Sequence, residues 1–104
     1  MLDSTEPKQQ QSWYCLSALI TNATFEKRNA IAKRLNSMGV GTSIYYPQPV
    51  PRFTYYRNKY NVDMASYPNA TRISDQSIAL PVGPHLSSDD MNYVGHCFEL
   101  VYLS

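Results

Sequence analysis

The sequence predicts an α+β fold, a small sheet with helices packed on it, and three observations carry the prediction. Residues 13–20, 40–46 and 77–81 are rich in the aliphatic, aromatic and β-branched side chains that suit a pleated, partly buried segment. Between and after them, apolar residues recur at spacings of three and four, the signature of helices that bury one face. The length of 104 residues fits one domain, and a hydrophobic share of 43% with 12% aromatics supplies the large side chains a core needs.

Residues 1–12 are polar, carry Pro7 and the run Gln9, Gln10, Gln11, and show no apolar period, so they read as a tail or a severed linker. That leaves 13–104 as the domain. Residues 13–20 are apolar on both alternations, which predicts a first strand covered on both faces. Thr24 suits a helix N-cap, Glu26 falls in the first turn, and Ile31, Leu35 and Met38 form the stripe that faces the core. Gly39 then ends the helix as a left-handed residue. Lys27, Arg28, Lys33 and Arg34 read as the solvated opposite face.

The second strand, 40–46, opens with a further glycine, Gly41, and runs into Pro47, Pro49 and Pro51. Three prolines alternating with Gln48 and Val50 remove three backbone donors, so the chain leaves the sheet as a stiff, extended loop. Phe53, Tyr56 and Tyr60 predict a short helix over 53–60. Residues 61–66 read as a loop, Tyr67-Pro68 as a turn, and 69–75 as another short helix before the brief strand 77–81. Pro81, Gly83 and Pro84 break regular structure. Ser87 with Asp90 three positions on makes a capping box, and Met91, Val94, Phe98 and Val101 continue it as a closing helix.

Several functions are not indicated. The formal net charge is +1 and the basic residues are scattered, so there is no patch for nucleic acid. No apolar run approaches the roughly 20 residues of a membrane span and no leader pattern opens the chain, which predicts a soluble, cytoplasmic protein. Cys15 and Cys97 lack the close spacing of a metal or redox motif and read as buried free thiols. Asn22-Ala23-Thr24 and Asn69-Ala70-Thr71 satisfy the glycosylation pattern, which matters only in a secreted chain, and both threonines read as capping or turn residues. His85 reads as a loop residue, exposed or against a partner, and His96 as a helix-surface or packed residue; neither has a nucleophile beside it, so no catalytic set and no metal site is predicted.

The stretch 44–60 stands apart. Tyr45, Tyr46, Phe53, Tyr55, Tyr56 and Tyr60 crowd around the proline loop, with Arg52 and Arg57 interleaved. A tyrosine offers an apolar face with a hydroxyl at its rim, which fits a sugar ring or a base, and an arginine fork fits phosphate. The same rings would equally serve to fill a small core and a subunit interface.

Met38-Gly39-Val40-Gly41-Thr42-Ser43-Ile44-Tyr45-Tyr46-Pro47-Gln48-Pro49 resembles the GI-x-T-x-x-HYP-x-P segment of DegT/StrS-type sugar aminotransferases. The run from Pro68 to Pro81, followed by Pro84, Leu86 and Asp90, is similar to that family's P-x-A-E-x-I-S-x-x-x-L-S-LP ending, in the same order and spacing. The likeness extends from Trp13 to Val101 but covers only the C-terminal small domain of a much longer polypeptide. It implies a fold-type I architecture, with a mainly antiparallel sheet of about three strands in the small domain. A large domain, absent from this chain, holds pyridoxal phosphate as a Schiff base on lysine, and two subunits share each active site. The small domain closes over a nucleotide-sugar substrate.

On that reading the Schiff-base lysine lies upstream of every segment matched here. Lys8, Lys27, Lys33 and Lys59 lack the surroundings that would desolvate an amine for carbonyl chemistry, so no residue of this chain is expected to be catalytic and no cofactor to be bound by it alone. The resemblance implies that Tyr45, Tyr46 and Arg52 contact the substrate. Tyr45 stands where the family often has histidine, Pro51 where a second histidine often follows the prolines, and Thr71 where glutamate is usual. The expected function is thus that of an aminotransferase fragment, inactive alone. A free-standing, non-catalytic module that binds a nucleotide sugar or a protein is the alternative. An apolar patch left by the missing domain predicts self-association into a homo-oligomer.

Overall fold

The computed structural model describes Ser12 and residues 14–104. The predicted tail and Trp13 lie outside the described residues. Strand β1, Leu16–Leu19, pairs antiparallel with β2, Ser77–Leu80, with Leu16 opposite Leu80 and Leu19 opposite Ser77. On the other side of β2 the backbone of Ala79 exchanges bonds with Ser43, Ala79 N–H donating at 2.8 Å and Ser43 N–H at 3.1 Å. β2 is therefore the centre of the sheet. The second of the three predicted strands survives only as that single bridge. Gly41 offers no side chain to pack and Pro47 no N–H to pair, and of residues 42–46 between them only Ser43 pairs with β2.

Four α-helices surround this ribbon among the described residues: α1, Phe25–Ser37; α2, Thr54–Tyr60; α3, Pro68–Gln76; and α4, Ser88–Tyr102. Thr24 caps α1, its hydroxyl accepting from Lys27 N–H at 3.2 Å, and Gly39 closes the helix at φ +82°, where a glycine costs least. A 3-10 turn at Val50–Arg52 leads into α2, which Asn61 ends in the left-handed region. Pro68 opens α3 at a position where its missing N–H costs nothing. The predicted capping box opens α4: Asp90 N–H donates to the Ser87 hydroxyl at 3.1 Å, and Ser87 N–H donates to the Asp90 carboxylate at 2.8 Å.

One face of the sheet carries the core. Ile20 and Ile78 meet Ile31 and Leu35 of α1 and Val94, Cys97 and Val101 of α4, with Val40 beside them. Each such aliphatic side chain contributes roughly 1.5–3 kcal/mol on burial. The core is almost entirely aliphatic, and among the described aromatic residues only Phe98 packs against its edge.

Three expectations are corrected here. The predicted two-sided coverage of the first strand is not met, because α1 and α4 both pack on the side of Ala18 and Ile20; Leu19, on the other side, is 49% exposed. Of the two predicted buried thiols, both are free, but Cys15 is only half-buried because it precedes the paired strand, whereas Cys97 is fully enclosed.

The third correction concerns the charged face of α1. Lys27, Lys33 and Arg34 are exposed as predicted, yet Arg28 is completely buried. It stands three residues before Ile31 and seven before Leu35, which puts it on their face of the helix. Its guanidinium spans to the C-terminal end of α3, donating to the carbonyls of Ser74 at 2.7 Å and Ser77 at 2.9 Å. These carbonyls have no partner further along the helix, so a cation there answers both their hydrogen-bonding need and the helix dipole.

Candidate functional site

The face of the sheet away from the core forms an open groove of about 910 Å³. Its floor is Ser17, Leu19, Ser77 and Ala79, and its walls include Tyr45, Tyr46 and Ile73. The Ser43 bridge sets the position of the two tyrosines: it ties the strand end to β2 just before the proline loop turns the chain away. Tyr45 is 52% exposed and Tyr46 71%. The neighbouring Cys15 sulfur, whose ionised form would repel a phenolate, raises the Tyr45 pKa above its ordinary value, and desolvation adds to the effect. The hydroxyl therefore stays protonated at neutral pH, able both to donate and to accept a hydrogen bond.

Arg52 does not join them. It lies in a separate cleft of about 620 Å³ with Thr24, Gln48 and Asp75. Its two terminal nitrogens fork onto Asp75, at 2.8 and 3.2 Å, and this hydrogen-bonded pairing raises the pKa of the guanidinium. The structure thus brings Tyr45 and Tyr46 together on one groove and ties the proline loop to α3 through Arg52. Nothing in the sequence singles out Asp75, which lies 23 positions from its partner.

The remaining aromatic residues of 44–60 do not fill the core. Tyr56 and Tyr60 stack nearly parallel one turn apart, with centroids 6.3 Å apart, and Tyr55 meets Tyr56 edge-on at 5.1 Å. The Lys59 ammonium lies over the Tyr55 and Tyr60 rings, within 5.4 Å of each centroid. Tyr56 and Tyr60 line a surface pocket of about 430 Å³ with Val50, Pro51, Asp63 and Tyr67. His85 and His96 are both exposed. No group of three or more histidine, cysteine, aspartate or glutamate side chains that would hold a metal occurs among the described residues, and no described helix is long and apolar enough to cross a membrane.

Comparison with known proteins identifies relatives of the chain. The chain is 29% identical, over 89% of its length, to the erythromycin biosynthesis sensory transduction protein EryC1 of Saccharopolyspora erythraea, and covers 24% of that protein. It is 32% identical, over 82% of its length, to the dTDP-3-amino-3,4,6-trideoxy-alpha-D-glucose transaminase of Streptomyces venezuelae, of which it covers 21%. Among solved structures it is similar to the PLP form of Spr1654 from Streptococcus pneumoniae, described as a sugar aminotransferase. The TM-score there is 0.76 at 29% identity, over 86% of this chain and 22% of that one. The chain therefore spans between a fifth and a quarter of the length of these relatives. Residues 1–99 match the DegT/DnrJ/EryC1/StrS aminotransferase family, and the chain belongs to that family.

Proposed function

We propose that this chain is the C-terminal small domain of a PLP-dependent aminotransferase acting on a keto nucleotide sugar, and that it has no activity alone. The observation that carries the reading is coverage: most of this chain aligns with sugar aminotransferases, but it covers only 21% of one relative and 22% of another. In this reading residues 13–104 are the small domain and 1–12 the linker to the large one. Pyridoxal phosphate needs an amine held in a desolvated pocket. Lys27, Lys33 and Lys59 are all exposed, and Lys59 leans on tyrosine rings at the surface, so the described lysines do not fit the group.

Tyr45 and Tyr46 are the wall that this domain adds to the substrate site, their faces against the sugar and their hydroxyls on its polar groups. Arg52 reaches a phosphate of the nucleotide only by sharing or leaving Asp75. The intact enzyme works in the cytoplasm as a homo-oligomer.

The test is to mix the chain with PLP, glutamate and a 4-keto nucleotide sugar. The expected result is no transamination and no absorption band of an internal aldimine; either signal would refute the reading. The open groove also favours a second reading, a non-catalytic binding module. Titration with nucleotide sugars, followed by tyrosine fluorescence, separates the two: saturable binding by the isolated chain, lost in Tyr46→Ala, supports the module.

A further inference from the structure

The aromatic cluster of α2 borders a cavity that shares no lining residue with the groove or the Arg52 cleft. Its volume of about 430 Å³ falls within the range of roughly 300–1,000 Å³ usual for small-molecule sites. Tyr56, Tyr60 and Tyr67 line it; no arginine, lysine or histidine does, and Asp63 is its one carboxylate. Local geometry holds that carboxylate in place: Asp63 precedes the 3-10 turn Met64–Ser66, and one of its oxygens accepts from Ala65 N–H at 3.0 Å. No described residue donates to the other oxygen. An aromatic ring carries negative potential on its face, so rings and carboxylate favour the same sign of ligand. The cluster already holds a cation of its own: the Lys59 ammonium lies over Tyr55 and Tyr60, 5.3 Å from the Tyr60 centroid, although Lys59 does not line the cavity.

We propose that this cavity binds a small primary alkylammonium ion, its ammonium group donating to the Asp63 carboxylate and its alkyl chain lying against the tyrosine rings. Charge complementarity selects the occupant. An anion would be repelled by Asp63, and a neutral apolar molecule would strip water from the carboxylate without replacing the lost hydrogen bonds. A primary ammonium brings a positive charge and three donors, and its chain covers rings that are otherwise 41–62% exposed. The rings are set before the ligand arrives: Tyr56 and Tyr60 stack within 9° of parallel and Tyr55 braces Tyr56 edge-on, so little ordering is left to oppose binding. The inference goes beyond the aminotransferase reading and does not depend on it.

Titration of the chain with butylammonium chloride at constant ionic strength, followed by amide NMR, tests it, with butanol and butyrate as probes of the same length. The expected result is a saturable shift of the Tyr60, Asp63 and Tyr67 amides with butylammonium, and binding of both other probes weaker by roughly tenfold or more. Asp63→Asn removes the charge but keeps an oxygen for Ala65 N–H; it should weaken butylammonium by roughly tenfold. Tyr60→Leu changes an exposed ring outside the core; it should weaken binding by roughly threefold with the circular dichroism unchanged. Absence of saturation would overturn the proposal. Equal affinity for butanol would also overturn it, by showing that the cavity reads apolar surface alone. So would undiminished binding by Asp63→Asn, or shifts as large at Asp89 and Asp90, which would reveal unselective pairing with exposed carboxylates.

Discussion

Arg28 donates to the carbonyl of Ser74 at 2.7 Å across 46 residues of sequence, from a position with no exposure to solvent. This bond and its companion to Ser77 hold α1 against the end of α3, next to the strand that floors the candidate site. Burial lowers the pKa of the guanidinium and the charge of Asp75 opposes that shift. Two hydrogen bonds from one terminal nitrogen to the carbonyls offset part of the penalty, while the other terminal nitrogen is buried without a partner.

Replacing Arg28 by methionine should therefore destabilise the chain by about 2–4 kcal/mol, since it strips one buried and one partly buried carbonyl of their donor. Arg28→Lys keeps the charge but loses the Nε bond to Asn29, and should fall between the parent and the methionine variant. Urea unfolding followed by circular dichroism measures both; a methionine variant as stable as the parent would show that the clamp contributes nothing.

Thr71 points the other way. Its hydroxyl is buried and has no hydrogen-bond partner. Thr71→Val removes that group at nearly constant shape, so stability should stay level or rise by up to about 1 kcal/mol. A thermal melt is sufficient, and a clear loss of stability would reveal a partner for the hydroxyl.

Arg52 and Asp75 form the only ion pair among the described residues, and both side chains are partly exposed, at 26% and 22%. A double-mutant cycle with Arg52→Ala and Asp75→Ala should give a coupling of about 0.5–1 kcal/mol that shrinks as salt is added. A coupling that salt leaves unchanged would mean that the pair is more enclosed than its exposure indicates.

Asp90 gives the pH dependence. Backbone and hydroxyl bonds from Ser87 hold its carboxyl below its ordinary value of 3.8. A carboxyl with a lowered folded pKa adds stability that is present above the ordinary value and lost as pH falls through the lowered one. The advantage of the parent over Asp90→Asn should hold at neutral pH and shrink below pH 3.8. Acid titrations of the two proteins check this; parallel curves down to the acid limit would contradict it.

Local chemistry alone determined the helices of this protein. Thr24, Gly39 and the Ser87 to Asp90 box mark helix ends because capping involves residues only a few positions apart. The family motifs were legible for a related reason, since the glycine, proline and tyrosine pattern around 39–49 records one continuous stretch of backbone. Tertiary structure alone decided the rest. It left one predicted strand as a single bridge at Ser43 and covered only one face of β1. It also brought the Ser74 and Ser77 carbonyls to Arg28 and turned Arg52 onto Asp75. Each of these outcomes depends on a partner at least 23 positions away, and where such a partner arrives is set by how the whole chain packs.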